Sequence, residues 1–272
     1  MTHTAPPETV GAGFTEHTVE IDGFTVRYQQ SGTGDPVVVL HGAGGLQHTP
    51  AMDLLATRYR IVLLEIPGFG PQANDIHQTM PELAEAIAQA IANIGLERYH
   101  LIGISFGGVA ATHLALAHSE TLISLVLEAP AAFREGGASP SNPPSEILPL
   151  FRAHPERTPP FQMPDPDFTR HTGPMIHRLL ASRPEYDQEL ADRLPELSTR
   201  TLVIFGDRDG VIPPHNGRTW RQLLPNCSYI LVHDAAHDIQ CDRPESYAEV
   251  VGDWLARGWQ FLVPEQDTVI NP

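Results

Sequence analysis

Two short runs near the start of the chain alternate apolar and polar residues, His17-Thr18-Val19-Glu20-Ile21 and Phe24-Thr25-Val26-Arg27-Tyr28, joined by Asp22-Gly23. Period-two alternation predicts strands with one covered face, and the Asp-Gly link predicts a hairpin. Further on the pattern becomes continuous. Residues 37–40, 61–64, 99–104, 122–127, 201–205 and 228–232 are short, mostly apolar runs, as expected for central parallel strands covered on both faces. Between them the period lengthens. Residues 49–59 carry Met52, Leu55 and Ala56 at helical spacing, the crossover that parallel neighbours need. Thr79-Met80-Pro81-Glu82 reads as a capping box with proline in the first turn, followed by Leu83, Ile87, Ile91 and Ile94 on one helix face up to Gly95. Residues 106–117 and 215–224 predict two more helices. A last one carries Tyr247, Val250, Val251, Trp254 and Leu255 on one face, with Pro244 near its start.

From about residue 133 to 195 this regularity is lost. Prolines at 140, 143, 144, 149, 155, 159, 160, 164, 166 and 174 oppose any long element, so an inserted cap is expected, with short helices at 175–181 and 186–194 and extended or looped chain elsewhere. Phe151, Phe161, Met163 and Phe168 supply the apolar anchors that a disordered linker lacks. The expected organisation is a core of residues 14–132 and 196–262, a cap of 133–195, and flexible termini at 1–13 and 263–272.

Composition narrows the function classes. Of 272 residues, 41% are hydrophobic, and no stretch approaches the roughly 20 apolar residues that span a bilayer. A formal net charge of -16 without a Lys/Arg cluster argues against nucleic acid. The first 13 residues have neither a basic start nor an apolar stretch, so a cytoplasmic protein without membrane association is expected. Two cysteines, Cys227 and Cys241, are too few for a disulfide framework and lack metal-site spacing. The sequence does not distinguish a monomer from a homodimer.

Candidate chemistry begins at Gly103-Ile104-Ser105-Phe106-Gly107. An apolar strand run precedes it and small, helix-compatible residues follow, the context of a nucleophile elbow. A serine hydroxyl needs a base to take its proton, and the base needs an acid to hold its tautomer. After the strand ending at Phe205 comes Gly206-Asp207-Arg208-Asp209, from which Asp209 is chosen because it lies deeper in the loop. After the strand ending at Val232 comes His233-Asp234-Ala235-Ala236-His237, and His237 is chosen because His233 is still at the strand end. No metal site is expected: the four-residue spacing of His233 and His237 converges on an ion only on a helix.

These pieces, with His41-Gly42-Ala43-Gly44-Gly45 and Pro67-Gly68-Phe69-Gly70, make residues 14–259 resemble the α/β-hydrolase fold superfamily in its serine-nucleophile branch. The resemblance implies an α/β fold with a mostly parallel eight-stranded sheet, helices on both faces and an inserted cap. It also implies a cofactor-free hydrolase with Ser105, Asp209 and His237 as the triad. An oxyanion hole would draw on the N–H of Phe106 and that of Ala43, with Gly44 the neighbouring alternative and Gly42 beside them. His41 is expected to brace the loop rather than act as a base. The favoured substrate is a small-molecule carboxylic ester, lactone or thioester. Cleavage of a carbon–carbon bond beside a ketone is the first alternative, although Asp238 stands where such hydrolases usually carry tryptophan. A non-catalytic ligand-binding protein on the same fold is the second.

Overall fold

In the computed structural model, the described residues are 9–138, 144–157, 166–181 and 185–262. In chain order they form β1 (Thr15–Ile21), β2 (Phe24–Ser31), β3 (Pro36–Leu40), α1 (Pro50–Ala56), β4 (Arg60–Leu64), α2 (Met80–Asn93), β5 (Tyr99–Ile104), α3 (Phe106–Ala117) and β6 (Leu122–Glu128). There follow α4 (Pro144–Ile147), α5 (Pro166–Ile176), α6 (Gln188–Arg193), β7 (Thr201–Gly206), α7 (Asn216–Leu223), β8 (Cys227–Val232), α8 (Ile239–Asp242) and α9 (Pro244–Arg257). The strands make one sheet in the order β1-β2-β4-β3-β5-β6-β7-β8. The hairpin β1-β2 and the pair β2-β4 are antiparallel, and every later pairing is parallel.

The continuous apolar runs have a simple cause. Val38, Leu40 and Leu101 point into one core layer, where α2, α3 and Trp220 of α7 pack. Their neighbours Val37, Val39 and Ile102 point into the opposite layer, against Met52 and Leu55 of α1 and Tyr247, Val251 and Trp254 of α9. With both faces covered, the positions in these strands are apolar with few exceptions, such as His100 and Ser124, which bond each other at 2.7 Å. The helix signals also hold. The Thr79 hydroxyl accepts the Glu82 N–H and the Glu82 carboxylate reaches back to the Thr79 N–H, a reciprocal cap of about 1 kcal/mol.

The insertion between β6 and β7 departs from its expected form. The first helix expected there, at 175–181, instead begins at Pro166 and runs through Pro174. Pro166 sits in the first turn, where its missing N–H costs nothing. Pro174 removes one intrahelical bond, and just beyond it residues His177–Ala181 widen into a π-turn, the adjustment by which a helix passes a missing donor. Packing compensates: Thr172 donates to Gly68 O at 3.2 Å and Arg178 to Asn74 O at 2.6 Å, while Met175 and Leu179 are buried in the core layer. The second expected helix is the shorter α6, capped by the Asp187 carboxylate on the Leu190 N–H. The looped stretch contains α4 and two 3-10 turns, Leu148–Leu150 and Pro155–Arg157.

Phe161, Met163 and prolines 140, 143, 159, 160 and 164 lie outside the described residues, as do 1–8 and 263–272 of the termini. Thr9 to Gly13, expected to be loose, form a turn whose Gly11 N–H is held by both Asp53 carboxylate oxygens, at 3.0 and 3.2 Å.

Candidate active site

Ser105 stands between β5 and α3 with φ 51° and ψ -110°, a conformation that costs a residue with a Cβ of order 1–3 kcal/mol. Three backbone bonds hold it there: Ser105 N–H to Glu128 O at 2.8 Å, and Gly108 N–H and Ala131 N–H to Ser105 O at 3.0 and 3.1 Å. The flanking glycines are required by close approach. A Cβ at Gly103 would lie 2.5 Å from the Ala111 Cβ, and one at Gly107 would lie 2.4 Å from His41 O. The elbow is thereby pressed against the glycine-rich loop after β3.

That loop is braced by His41, as its sequence position suggested. The Ile66 N–H donates to His41 Nε2 at 3.0 Å, so the ring proton is on Nδ1, 2.7 Å from Gly42 O. Burial pushes its pKa down to about 4, so it stays neutral, and Phe69 packs edge-on against it at 4.6 Å. Gly45 N–H turns back to Gly42 O at 3.1 Å, leaving Ala43 and Gly44 at the crest.

Beyond β7 and β8 the two carboxylate candidates separate cleanly. Asp209, with its side chain fully buried, receives Val211 and Ile212 N–H on Oδ1 at 2.9 and 2.8 Å, and its Oδ2 lies 2.8 Å from His237 Nδ1. Asp207 pairs with His233 on the outside, where the His233 side chain is 87% exposed. Burial opposes charging of His237. The charge and hydrogen bond of Asp209, aided by Asp238, outweigh it, and the His237 pKa is raised. No group of three or more His, Cys, Asp or Glu suited to a metal occurs among the described residues.

Ser105 and His237 line one pocket of about 110 Å³ together with Gly42, Ala43 and Gly44 of the glycine-rich loop. Phe106 differs from the other expected substrate contacts. It starts α3 but does not line the pocket, its ring being fully buried in the core 5.6 Å from the Phe69 ring, so a role at the site would fall to its backbone N–H. Several pocket residues are absent from the sequence reading of the site. Phe151, treated there only as an apolar anchor, stands edge-on to the His237 ring at 5.2 Å. Glu128 and Gln240 form a buried polar wall. A carboxylate closing an apolar strand was the visible signal for Glu128.

The inserted segment is tied to the histidine loop. Asp238 N–H donates to Phe151 O at 2.8 Å, Arg152 Nε to Asp238 Oδ2 at 2.8 Å, and the Ala153 and His154 N–H groups to the Asp242 carboxylate at 2.9 and 3.0 Å. Asp238 is thus engaged by Arg152.

A mostly parallel sheet with an elbow at one strand end and an acid–histidine pair at two others defines the α/β-hydrolase class. The chain belongs to the alpha/beta hydrolase family, whose profile matches residues 37–250. It is 27% identical over 253 residues to the pimeloyl-[acyl-carrier protein] methyl ester esterase of Aeromonas hydrophila, covering 84% of this chain and 98% of that protein. It is also 27% identical over 270 residues to 2-hydroxy-6-oxononadienedioate/2-hydroxy-6-oxononatrienedioate hydrolase 2 of Pseudomonas putida, covering 87% and 93%. Among solved structures, a meta-cleavage product hydrolase from Pseudomonas fluorescens shares the fold with a TM-score of 0.73 at 19% identity, over 88% of this chain and 97% of that one. An esterase from Thermogutta terrifontis does so at 0.69 and 22%, over 90% and 98%. No helix among the described residues is long and apolar enough to cross a membrane.

Proposed function

We propose that this hydrolase cleaves a small carboxylic ester, lactone or thioester through an acyl-enzyme on Ser105. The observation that carries the reading is the buried His237–Asp209 pair at 2.8 Å, set in the pocket that the Ser105 elbow opens into. Asp209 accepts the Nδ1 proton, which leaves the Nε2 lone pair of His237 to take the serine proton as Oγ bonds to the carbonyl carbon. The carbonyl π electrons move to oxygen, and the N–H groups of Phe106 and of Ala43 or Gly44 receive that charge. Collapse of the adduct breaks the bond to the leaving group, which takes the proton back from His237. Water then repeats the sequence on the acyl-enzyme and frees the acid.

The segment 133–195 serves as the cap that sets specificity, a role supported by Phe151 against His237 and by the bonds from residues 151–154 to the histidine loop. Two free, buried thiols, Cys227 and Cys241, fit a cytoplasmic enzyme. Ester hydrolysis is favoured over carbon–carbon cleavage because of Asp238. The esterase relative supports that choice, and the dienedioate hydrolase relative makes a diketone the appropriate control.

The test is labelling with a fluorophosphonate followed by peptide mapping, with p-nitrophenyl esters and a vinylogous diketone assayed side by side. Modification of Ser105 together with ester turnover is expected. A folded protein that leaves Ser105 unmodified would refute the nucleophile, and turnover of the diketone alone would refute the ester assignment.

A further inference from the structure

Glu128 is the last residue of β6, paired in register with Ile104 on one side and Ile204 on the other. Its carbonyl holds the Ser105 N–H, which fixes it beside the elbow. Val126, two residues earlier, packs into the layer of α1 and α9. Strand alternation therefore sends the Glu128 side chain to the same side. There Gln240 Nε2 donates to Glu128 Oε2 at 2.5 Å, and the Tyr247 hydroxyl joins them. The orientation of the Gln240 amide is set from its other end, because Gln240 Oε1 accepts the Thr49 hydroxyl at 2.8 Å. Glu128 is 1% exposed and lines the pocket with Ser105 and His237.

The groups around this carboxyl give an anion little support. Gln240 from α8 and Tyr247 from α9 are neutral donors, Asp238 from the histidine loop is of like sign, and the His237 imidazole is already committed to Asp209. The Cys241 thiol of α8 also senses Glu128 and is uncharged, its pKa raised by burial. Removing a carboxylate from water costs several kcal/mol, and neutral hydrogen bonds return only about 1 kcal/mol each.

Building on the ester-hydrolase reading, we propose that Glu128 is a positioning residue that works as an uncharged carboxylic acid. It anchors the Gln240–Thr49 wall and keeps a further negative charge away from the reacting atoms. Burial, opposed by Gln240, His237 and Tyr247, raises its pKa to about 8, in agreement with that state at neutral pH. An ionised Glu128 would act twice against catalysis. It would hold His237 protonated before attack, and it would repel the oxyanion forming beside Ser105.

Glu128→Gln reproduces the shape and the hydrogen bonds of the neutral acid and cannot ionise. The experiment is kcat/KM for p-nitrophenyl acetate, with the rate of fluorophosphonate labelling of Ser105 in parallel, from about pH 5 to about pH 10. Near pH 7 the two proteins should agree within about threefold. Above about pH 8 the wild type should lose about tenfold in both readouts while Glu128→Gln stays level. Superimposable profiles would overturn the proposal. A variant depressed more than about tenfold at pH 7 would also overturn it, because the carboxylate itself would then be needed.

Labelling of Ser105 without ester turnover would sink the ester reading and leave the labelling profile as the test of Glu128. If the variant does not fold, infrared difference spectra of the wild type decide. A protonated-carboxyl C=O band present near about pH 6 and lost near about pH 9.5 is expected, and its absence near about pH 6 refutes the idea.

Discussion

Asp209→Asn is the substitution on which the catalytic reading depends most, because it changes one atom and forces a choice of hydrogen bonds. Asp209 Oδ1 is committed to two backbone donors, the Val211 and Ile212 N–H groups, and Oδ2 to His237 Nδ1. In the variant the remaining oxygen must stay on the two N–H groups, so the new NH2 faces His237. The imidazole then offers Nδ1 as an acceptor and carries its proton on Nε2, the nitrogen that the proposed mechanism needs free to take the serine proton. That tautomer cannot act as a base. Flipping the amide to restore the reactive tautomer sets NH2 against two N–H donors and forfeits two buried bonds, about 1–3 kcal/mol each. Even then the imidazolium has lost a charge-assisted partner, a further ~1.5–3 kcal/mol. The sum is about 3.5–9 kcal/mol, centred near 6, or about 10⁴ in kcat/KM at ~1.36 kcal/mol per decade. The assay is p-nitrophenyl ester hydrolysis beside fluorophosphonate labelling, with thermal unfolding to verify that the variant is folded. Asp207→Asn is the control. It disturbs a pair whose histidine is out in solvent, and it should change turnover by less than about threefold. A folded Asp209→Asn enzyme keeping more than about a tenth of wild-type activity would refute the reasoning. So would a larger loss in Asp207→Asn.

Three further outcomes follow from the same geometry. Ser105→Ala should abolish turnover while Tm hardly moves, whereas Ser105→Gly, equally inactive, should gain about 1–2 kcal/mol by removing a Cβ from φ 51°; a destabilised glycine variant in thermal unfolding would refute the strain. Phe151→Ala should lower kcat/KM about 2–10-fold, the worth of one edge-on ring contact with His237; unchanged ester kinetics would show that the contact is incidental. Denaturant unfolding across pH should give maximum stability near pH 6.5. The buried histidines His41 and His100, with pKa values near 4, make stability present above about 6.5 and lost as pH falls toward 4. Glu128, raised from 4.5 to about 8, contributes stability that is lost from about pH 4.5 through 8, a loss that the two histidines outweigh below about 6.5; above that, with His237 also raised, the net stability declines. A maximum above about pH 8 would contradict these assignments.

The framework was legible because its signals are local or periodic. The Asp22-Gly23 turn, the six continuous runs and the Thr79 capping box all mark elements found in place. Helix α5 was hidden for a physical reason. Proline at 174 normally ends a helix, and here it is tolerated because contacts from outside the segment take over. Thr172 bonds Gly68, His171 bonds Gly70 O and Arg178 bonds Asn74 and His77, about a hundred residues away in sequence. No pattern within residues 166–176 carries that information.

The same distinction divides the site. Ser105, Asp209 and His237, the proposed triad, were legible as candidates because each follows its own strand, and parallel strands deliver their C-terminal loops to one edge of the sheet. Choosing Asp209 over Asp207 needed only the depth of each in its loop, which decides between a carboxylate shielded by two N–H groups and one facing solvent. The polar wall is different in kind. Gln240 meets Glu128 across 112 residues and Thr49 across 191, and it lies in a four-residue helix without a period to read. Yet Glu128 had a visible cue, since a carboxyl that closes a strand covered on both faces has no route to water. It must find partners in the interior or keep its proton, and with neutral partners beside the His237–Asp209 pair it does both.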